Sequence, residues 1–354
     1  MTDSPMRVDP DDVDLDVYDV IVDVRPHAEN AAGIPGSIAV RFEEILASPA
    51  GTIPSPTSTV LMVCDIGMRS DIAMRRLRAD GYSGIVSLSG GIDAWRRRGL
   101  PLVGAGGLSN DQLDRYDRHL KLASIGTSGQ RSLLDATVAV VGVGGLGSPV
   151  LAYLAGAGVG TMTIIDDDVV DGSNLQRQPI HTTDDIGTAK VDSARVFIES
   201  LNPDVSVVSH QRRIDAINAS ELLAGATVVV DATDNFDARY AINDAAVRLG
   251  VPVVFASVYR MEGQVSVFDA KNGPCYRCVF PEPPGDDVPL DCLTIGVLGA
   301  ITGILGSIQA MEAIKLIVGS PETLTGTLLL YDGMRQVFTT LPIARNADCS
   351  ACGR

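Results

Sequence analysis

The chain has 354 residues, 45% of them apolar, and a net charge of −16. The apolar share excludes wholesale disorder, and the length suits two ordinary domains. So acidic a surface disfavours nucleic-acid backbones and anionic membranes, but it leaves room for a local basic site around one nucleotide.

The opening stretch "MTDSPMRVDPDDVDLD" is acidic and lacks an apolar signal region, which points to a cytoplasmic protein. "VYDVIVDVR" (17–25) and "STVLMVC" (58–64) read as short buried strands. "SDIAMRRLRADGY" (70–82) predicts a helix with Ile72, Ala73 and Leu77 on its apolar face and a stop at Gly81. "GIVSLSGG" adds a strand and turn, and "IDAWRRRGLPL" a further helix. Alternating strands and helices imply a small parallel sheet over residues 1–102. The glycine-rich, weakly patterned stretch 103–110 is the expected linker to a second domain over 111–354.

That second domain opens with "NDQLDRYDRHLKL", a helix with Asn110 as its expected cap. "DATVAVVGVGGLGSPVLAYLAGAGVGTMTIIDDD" then reads as strand, glycine turn, helix and strand. "VSVVSHQ" and "ATVVVDATDN" supply two more strands, and "VPVVFASVYRMEGQVSVFD" a pair joined by a central turn. From Leu293 to Met311 there is no charged residue, nearly enough to span a bilayer. Gly296, Gly299, Gly303, Gly306 and Gln309 interrupt the run, and Glu312 and Lys315 continue the same helix. We read a buried helix whose glycines allow close packing, with another subunit as the expected partner.

Gly142, Gly144, Gly145 and Gly147 lie between an apolar strand and a helix. Glycines there allow a tight turn and bring phosphate oxygens close to backbone N–H groups at a positive helix end. Asp166 ends the next strand, where a carboxylate can hold ribose hydroxyls. By itself this pattern favours NAD. The residues that follow favour a triphosphate with magnesium: Ser173, Asn174, Arg177 and Gln178 in "SNLQRQ", then Lys190, then Asp234 and Asn235 in "DATDNF". Hydride transfer needs no such set of cations and carboxylate.

The six cysteines are expected to be ligands or nucleophiles in a reducing compartment. Cys275 with Cys278 and Cys349 with Cys352 form two CxxC knuckles, a donor set suited to structural tetrahedral zinc. A redox pair is the competing reading. Cys292 follows the proline-rich acidic loop "PEPPGDDVPLD", which we expect to be mobile, and precedes the glycine-rich helix, where its thiol could be activated. Cys64 follows an apolar run and is either a core cysteine or a nucleophile on the loop "CDIGMRS".

The motifs "VGVGGLGSPVLAYLAGAGVG", "IIDDDVVDGSNLQRQ", "GTAKVDSA", "DATDNFDARYAIND", "RMEGQVSVF" and "GPCYRCVFPEPP" closely resemble the ThiF/MoeB family, relatives of ubiquitin-activating enzymes. The resemblance runs from about Asp114 to Arg354. It implies a Rossmann-type nucleotide-binding α/β domain with a structural zinc site. It also implies adenylation of the C-terminal glycine of a small ubiquitin-like sulfur-carrier protein of the MoaD/ThiS type, ending in Gly-Gly. Gly145, Asp166, Asn174, Arg177, Lys190, Asp234 and Asn235 would then bind ATP and Mg2+. Arg118 would reach the ATP of a neighbouring subunit, which implies a homodimer.

"IVDVR", "GIPGS", "CDIGMRSDIAMRRLRADGY" and "LSGGIDAW" resemble a rhodanese domain, a small α/β sulfurtransferase fold. There Cys64, assisted by Arg69, would carry a persulfide drawn from thiosulfate or from a cysteine-desulfurase persulfide. In the familiar fusions of these two domains the rhodanese comes second, whereas here it comes first. The combined reading is a single-chain sulfur activator, feeding molybdopterin, thiamine or another sulfur-containing product. Its competitors are adenylation of a different acyl group, including one on tRNA, a non-catalytic scaffold that binds ATP and a carrier, and an NAD dehydrogenase.

Overall fold

The computed structural model describes residues 6–26, 32–103, 108–283 and 296–353. Two compact units divide the chain, Met1–Arg131 and Ser132–Arg354. Cys292 and most of the proline-rich acidic loop before it lie outside the described residues, as do 104–107 of the expected linker.

The first unit carries a five-stranded sheet. Its strands are β1 (Arg7–Val8), β2 (Val20–Asp23), β3 (Ser37–Ala39), β4 (Val60–Val63) and β5 (Ile85–Leu88), in spatial order β1-β5-β4-β2-β3. All pairings are parallel. β4 is buried at every position because both of its faces are covered. Helices α1 (Phe42–Ala47) and α2 (Met68–Ala79) cover one face through Ile45, Ala73, Met74 and Leu77. Helix α3 (Gly91–Arg97) covers the other through Ile92 and Trp95.

Two details differ from the sequence expectation. Ile72 is 55% exposed, and Met74 takes its place in the core, because positions 73, 74 and 77 share the stripe facing β4. The helix after the linker, α4 (Asn110–Arg115), is capped by Ser109 and not by Asn110. Ser109 Oγ accepts from the Gln112 N–H and Gln112 Oε1 accepts from the Ser109 N–H, a reciprocal box that fixes the start one residue earlier. The predicted single helix breaks at the buried Tyr116 and resumes as α5 (Asp117–Leu120), followed by α6 (Gly126–Asp135).

The second unit is built on β6 (Thr137–Val141), β7 (Thr161–Ile165), β8 (Ser206–His210), β9 (Val228–Asp231), β10 (Val253–Tyr259), β11 (Glu262–Phe268), β12 (Thr327–Asp332) and β13 (Val337–Pro342). Their order is β13-β12-β11-β10-β9-β6-β7-β8. The half from β8 to β10 is parallel, and β10 to β13 are antiparallel. The chain leaves β6 towards β7 on one side and later returns to β9 on the other, so the winding reverses between β6 and β9. In open α/β sheets that switch point opens a crevice beyond the strand ends. Val141 pairs with both Ile165 and Asp231, so the loops after β6, β7 and β9 start level with one another.

Helices α7 (Gly147–Ala157), α8 (Lys190–Leu201), α9 (Ala219–Leu222), α10 (Phe236–Leu249) and α11 (Tyr276–Val279) accompany the sheet. The long apolar helix is α12 (Gly299–Ile317), whose length and composition would by themselves allow it to cross a membrane. It buries Ile301, Leu305, Gln309, Glu312 and Ala313, and buried Glu312 is satisfied by Lys315 and by the Leu324 N–H at 2.7 Å. Two of its three glycines, Gly299 and Gly306, pack within the chain. A Cβ at Gly306 would lie 2.5 Å from Leu146 O, and one at Gly299 would lie 2.4 Å from Gln176 O. Gly296 and Gly303 meet nothing within 4 Å.

The glycines after β6 divide by cause. Gly142 has φ 95°, and a Cβ there would lie 2.6 Å from Ala232 O. A Cβ at Gly147 would lie 2.0 Å from Gly142 O. Both are glycine because the fold leaves no room. Gly144 has only Gln178 Nε2 nearby, at 3.6 Å, so packing alone does not require glycine there. Gly147→Ala should therefore cost about 2 kcal/mol and lower the thermal midpoint of the full chain by roughly 4–8 °C, whereas Gly144→Ala stays within about 1 °C of the parent. Scanning calorimetry of the two variants checks this, and equal midpoints would contradict the packing account.

Candidate nucleotide cavity, sulfur loop and cysteine cluster

A cavity of about 680 Å³ opens at the switch point of the second unit. Gly142, Gly144 and Gly145 line it from the first loop, Asp166, Asp167 and Asp168 from the second, and Asp234 and Asn235 from the third. Arg177 and Gln178 lie on the same wall. The sequence-predicted set thus converges in large part. Ser173 and Asn174 support the wall: Arg177 donates to Ser173 O at 3.1 Å, and Asn174 Nδ2 donates to Ser173 Oγ at 3.4 Å. Gly147 lies behind the loop as a packing residue.

Asp166 is already engaged. Its Oδ2 accepts from the Val143 N–H at 2.7 Å and its Oδ1 from the Asp168 N–H at 2.9 Å. Burial pushes this carboxyl up, while Lys190 and the two N–H donors pull it back. Its remaining lone pairs can accept from two neighbouring hydroxyls. Lys190, 5% exposed, points its Nζ at Asp168 Oδ2 at 2.8 Å. Lys190 thus stands behind the cavity wall, which its partner Asp168 lines. Asn235 acts as the N-cap of α10, its Oδ1 accepting from the Ala238 N–H at 2.9 Å. The Asp234 carboxylate has no hydrogen-bond or ion-pair partner among the described residues and is free to hold a ligand.

Sequence reasoning missed several lining residues. Arg212 and Arg213 follow β8, Arg239 and Tyr240 lie in α10, and Arg260 and Gln264 come from the β10–β11 hairpin. With Arg177 these make five arginines around one cavity in a strongly acidic chain. "HQRR", "DNFDARY" and "RMEGQ" carried the signal, since each lies at or just past a strand end on the crevice side. Arg260 also sits at φ 56°, a left-handed backbone in a tight hairpin.

Arg118 lies in α5 of the first unit, with its side chain 89% exposed and its Nε 3.8 Å from Asp117 Oδ2.

Cys64 lies where β4 ends, and its side chain is enclosed: the residue is 2% exposed. The Ser70 N–H at the start of α2 donates to Cys64 Sγ at 3.4 Å, and Ser70 Oγ lies at the same distance. Ser87 Oγ in turn donates to Ser70 Oγ at 2.9 Å. The loop turns at Gly67, φ 89°. It is pinned from α3, where the Ile92 N–H donates to Cys64 O at 2.9 Å and the Asp93 N–H to Asp65 O at 3.0 Å. The sulfur therefore lies beneath a loop pinned from α3, at the N-terminal end of α2. Arg69 stands outside it, 3.5 Å from Asp65 and half exposed.

Cys275, Cys278, Cys349 and Cys352 come together, their sulfurs all within 4.8 Å of one another. Cys275 lies 3.6 Å from Cys349 and 3.9 Å from Cys278, and Cys278 lies 3.4 Å from Cys352. A tetrahedron with bonds of about 2.3 Å to sulfur has edges of about 3.8 Å, so the four donors fit such a metal with little movement. Burial pushes the Cys275 and Cys278 thiols up, whereas at Cys349 burial is outweighed by the backbone N–H groups of Cys352 and Ala351, which bring the thiol down to about 7.

The chain matches the ThiF family over residues 116–351 and the rhodanese-like domain over residues 10–98. It is 50% identical to the SAMP-activating enzyme E1 of Haloferax volcanii over 70% of this chain and 91% of that one. It is 47% identical to the adenylyltransferase and sulfurtransferase MOCS3 of Culex quinquefasciatus over 69% of this chain, but the match spans only 56% of that longer protein. Against the probable adenylyltransferase/sulfurtransferase MoeZ of Mycobacterium tuberculosis it is 47% identical, over 70% of this chain and 64% of that one. Among solved structures, the microcin C7 biosynthetic enzyme MccB in complex with N-formylated MccA shares the fold, with a TM-score of 0.62, 20% identity, and 81% and 82% of the two chains covered. By these matches the chain belongs to the ThiF family and carries a rhodanese-like domain ahead of the ThiF region.

Proposed function

We propose that the chain adenylates the C-terminal glycine of a small ubiquitin-like sulfur-carrier protein and then sulfurates it. One observation carries this reading: an arginine-rich cavity with a free carboxylate at a glycine-loop switch point occurs in the same chain as a cysteine cradled in a rhodanese loop. The relatives' names, a SAMP-activating enzyme and adenylyltransferase/sulfurtransferases, agree with both halves.

A carboxylate cannot lose hydroxide to a sulfur nucleophile, so it must first be given a better leaving group. The carrier's terminal carboxylate oxygen attacks the α-phosphorus of ATP, and pyrophosphate departs with the bonding pair. The Gly142–Gly145 backbone and Asp166 seat the nucleotide, while Asn174, Arg177 and Lys190 draw its phosphates. Asp234 would hold Mg2+, which when bound offsets charge gathering on the phosphates. Arg118 would complete the site from a second copy, which makes the working form a homodimer. The outer sulfur of a Cys64 persulfide then attacks the acyl carbon and AMP leaves. A second thiol takes the disulfide bond to Cys64 and frees the carrier thiocarboxylate, and an external thiol reductant restores Cys64. Cys292 is the chain's own candidate for that second thiol. The sulfur source would be thiosulfate or a cysteine-desulfurase persulfide. Zn2+ on Cys275, Cys278, Cys349 and Cys352 would fix the C-terminal segment to the start of α11, with no open ligand position. The joint between the two activities would be residues 103–110, and the compartment cytoplasmic.

Asp234→Ala should abolish carrier-dependent ATP–pyrophosphate exchange and leave thiosulfate sulfurtransfer within about twofold of the parent. Cys64→Ala should do the reverse. Assaying both variants for both reactions tests the division, and parallel loss in either variant would sink it. The purified chain should contain one zinc per chain by atomic absorption, and Cys278→Ser should lose most of it. Full zinc retention in Cys278→Ser would place the metal elsewhere.

A further inference from the structure

Asp234 is exposed and lines the cavity, yet nothing among the described residues anchors its carboxylate. Its position must come from the backbone on either side. On the C-terminal side, Asn235 is fixed as the cap of α10. On the N-terminal side stands Thr233, which is held by three hydrogen bonds. Asp231 Oδ1 accepts from the Thr233 N–H at 3.0 Å and from Thr233 Oγ1 at 2.6 Å. Arg239 Nη2 donates to Thr233 O at 2.9 Å.

The two charged groups are themselves immobilised. Asp231 is 2% exposed, and its carbonyl accepts from Gln309 Nε2 at 2.7 Å. That explains why the apolar helix α12 carries a glutamine that is 0% exposed. Arg239 is 8% exposed, with its guanidinium 5.3 Å from the ring centres of both Phe236 and Phe255. A buried carboxylate and guanidinium gain little stability for a fold, because desolvation offsets their attraction. Here Asp231 accepts two hydrogen bonds from one residue, Thr233, and Arg239 donates one to it. Burial pushes the Asp231 carboxyl up, while Arg239 and Thr233 pull it back.

We propose that Asp231 and Arg239 clamp Thr233 so that the neighbouring Asp234 carboxylate is held at the place where the nucleotide's metal ion must sit. Asp231, Thr233 and Arg239 are thus positioning residues that act through Asp234. The inference rests on the metal-holding role given to Asp234 above.

Thr233→Val removes the hydroxyl donor and keeps the shape, Thr233→Ser keeps the donor, and Arg239→Lys keeps the charge but not the planar fork. Each would be measured in the full chain by ATP–pyrophosphate exchange with a Gly-Gly-ending ubiquitin-like protein from the same cell, titrating Mg2+ at saturating ATP. Thermal midpoint and thiosulfate sulfurtransfer report on folding. Thr233→Val and Arg239→Lys should raise the half-saturating Mg2+ concentration about 10-fold or more, and Thr233→Ser should stay within about twofold of the parent. An unchanged Mg2+ requirement in both impaired variants, or equal shifts in Thr233→Val and Thr233→Ser, would overturn the clamp. Asp234→Asn separates the two levels. If it leaves exchange intact, the role of Asp234 itself fails; if it stops exchange while Thr233→Val does not shift Mg2+, only the clamp fails.

Discussion

Between Gly142 and Ala232 there is no room for a methyl group. A Cβ on the glycine would lie 2.6 Å from the Ala232 carbonyl oxygen. The contact joins the loop after β6 to the loop after β9, and these are the two sides of the switch point. One side presents backbone N–H groups and a helix start; the other presents Thr233, Asp234 and the start of α10. Because this contact is with backbone atoms, it does not depend on side-chain rotamers. The level ends of β6, β7 and β9 add Asp166 to the same rim, where the Val143 N–H ties it back to the glycine loop. A nucleotide site needs this rigidity, since its donors must be in place before charge moves.

The same crevice concentrates positive charge in a chain whose net charge is −16. Five arginines line it, and the acidic groups near them are spent within the fold or left facing the cavity. Asp168 holds Lys190, Asp166 accepts two N–H groups, and Asp231 holds Thr233. Asp167, Asp234 and Glu282 stand on the wall with no hydrogen-bond or ion-pair partner among the described residues. An acidic surface with a basic, focused cavity suits one small polyanion better than an extended one.

Much of this was legible in the sequence because the signals were backbone signals. The glycine spacing, the strand before it and the acidic strand end after it placed the cavity, and the paired CxxC knuckles placed the sulfur cluster. What escaped were features settled by tertiary packing. Ile72 and Met74 are equally apolar, and only the direction of α2 over β4 decides which is buried. Ser109 outcompetes Asn110 as a cap because Gln112 stands three residues on to close the box. Arg239 and Arg260 look like surface arginines in the sequence, yet the turn after β9 and the left-handed hairpin carry both to the cavity wall. Cys64 reads from the sequence as a core residue or as a nucleophile, and the structure buries its side chain. Its sulfur lies beneath the loop that turns at Gly67 and accepts from the Ser70 N–H at the start of α2.

That burial has a chemical consequence for the proposed reaction. An acyl-adenylate is lost to water and a persulfide to any stray thiol or oxidant, so the two intermediates need different protection. The adenylate needs a cavity that admits a nucleotide and a protein tail and grips phosphates. The persulfide needs enclosure and neutral donors, and beside the buried Cys64 sulfur stand the Ser70 N–H and hydroxyl at the start of α2. One pocket could not provide both, because the arginines that draw phosphates would also draw competing anions to the sulfur. Placing the sulfur in one compact unit and the arginines in the other lets each environment be set independently.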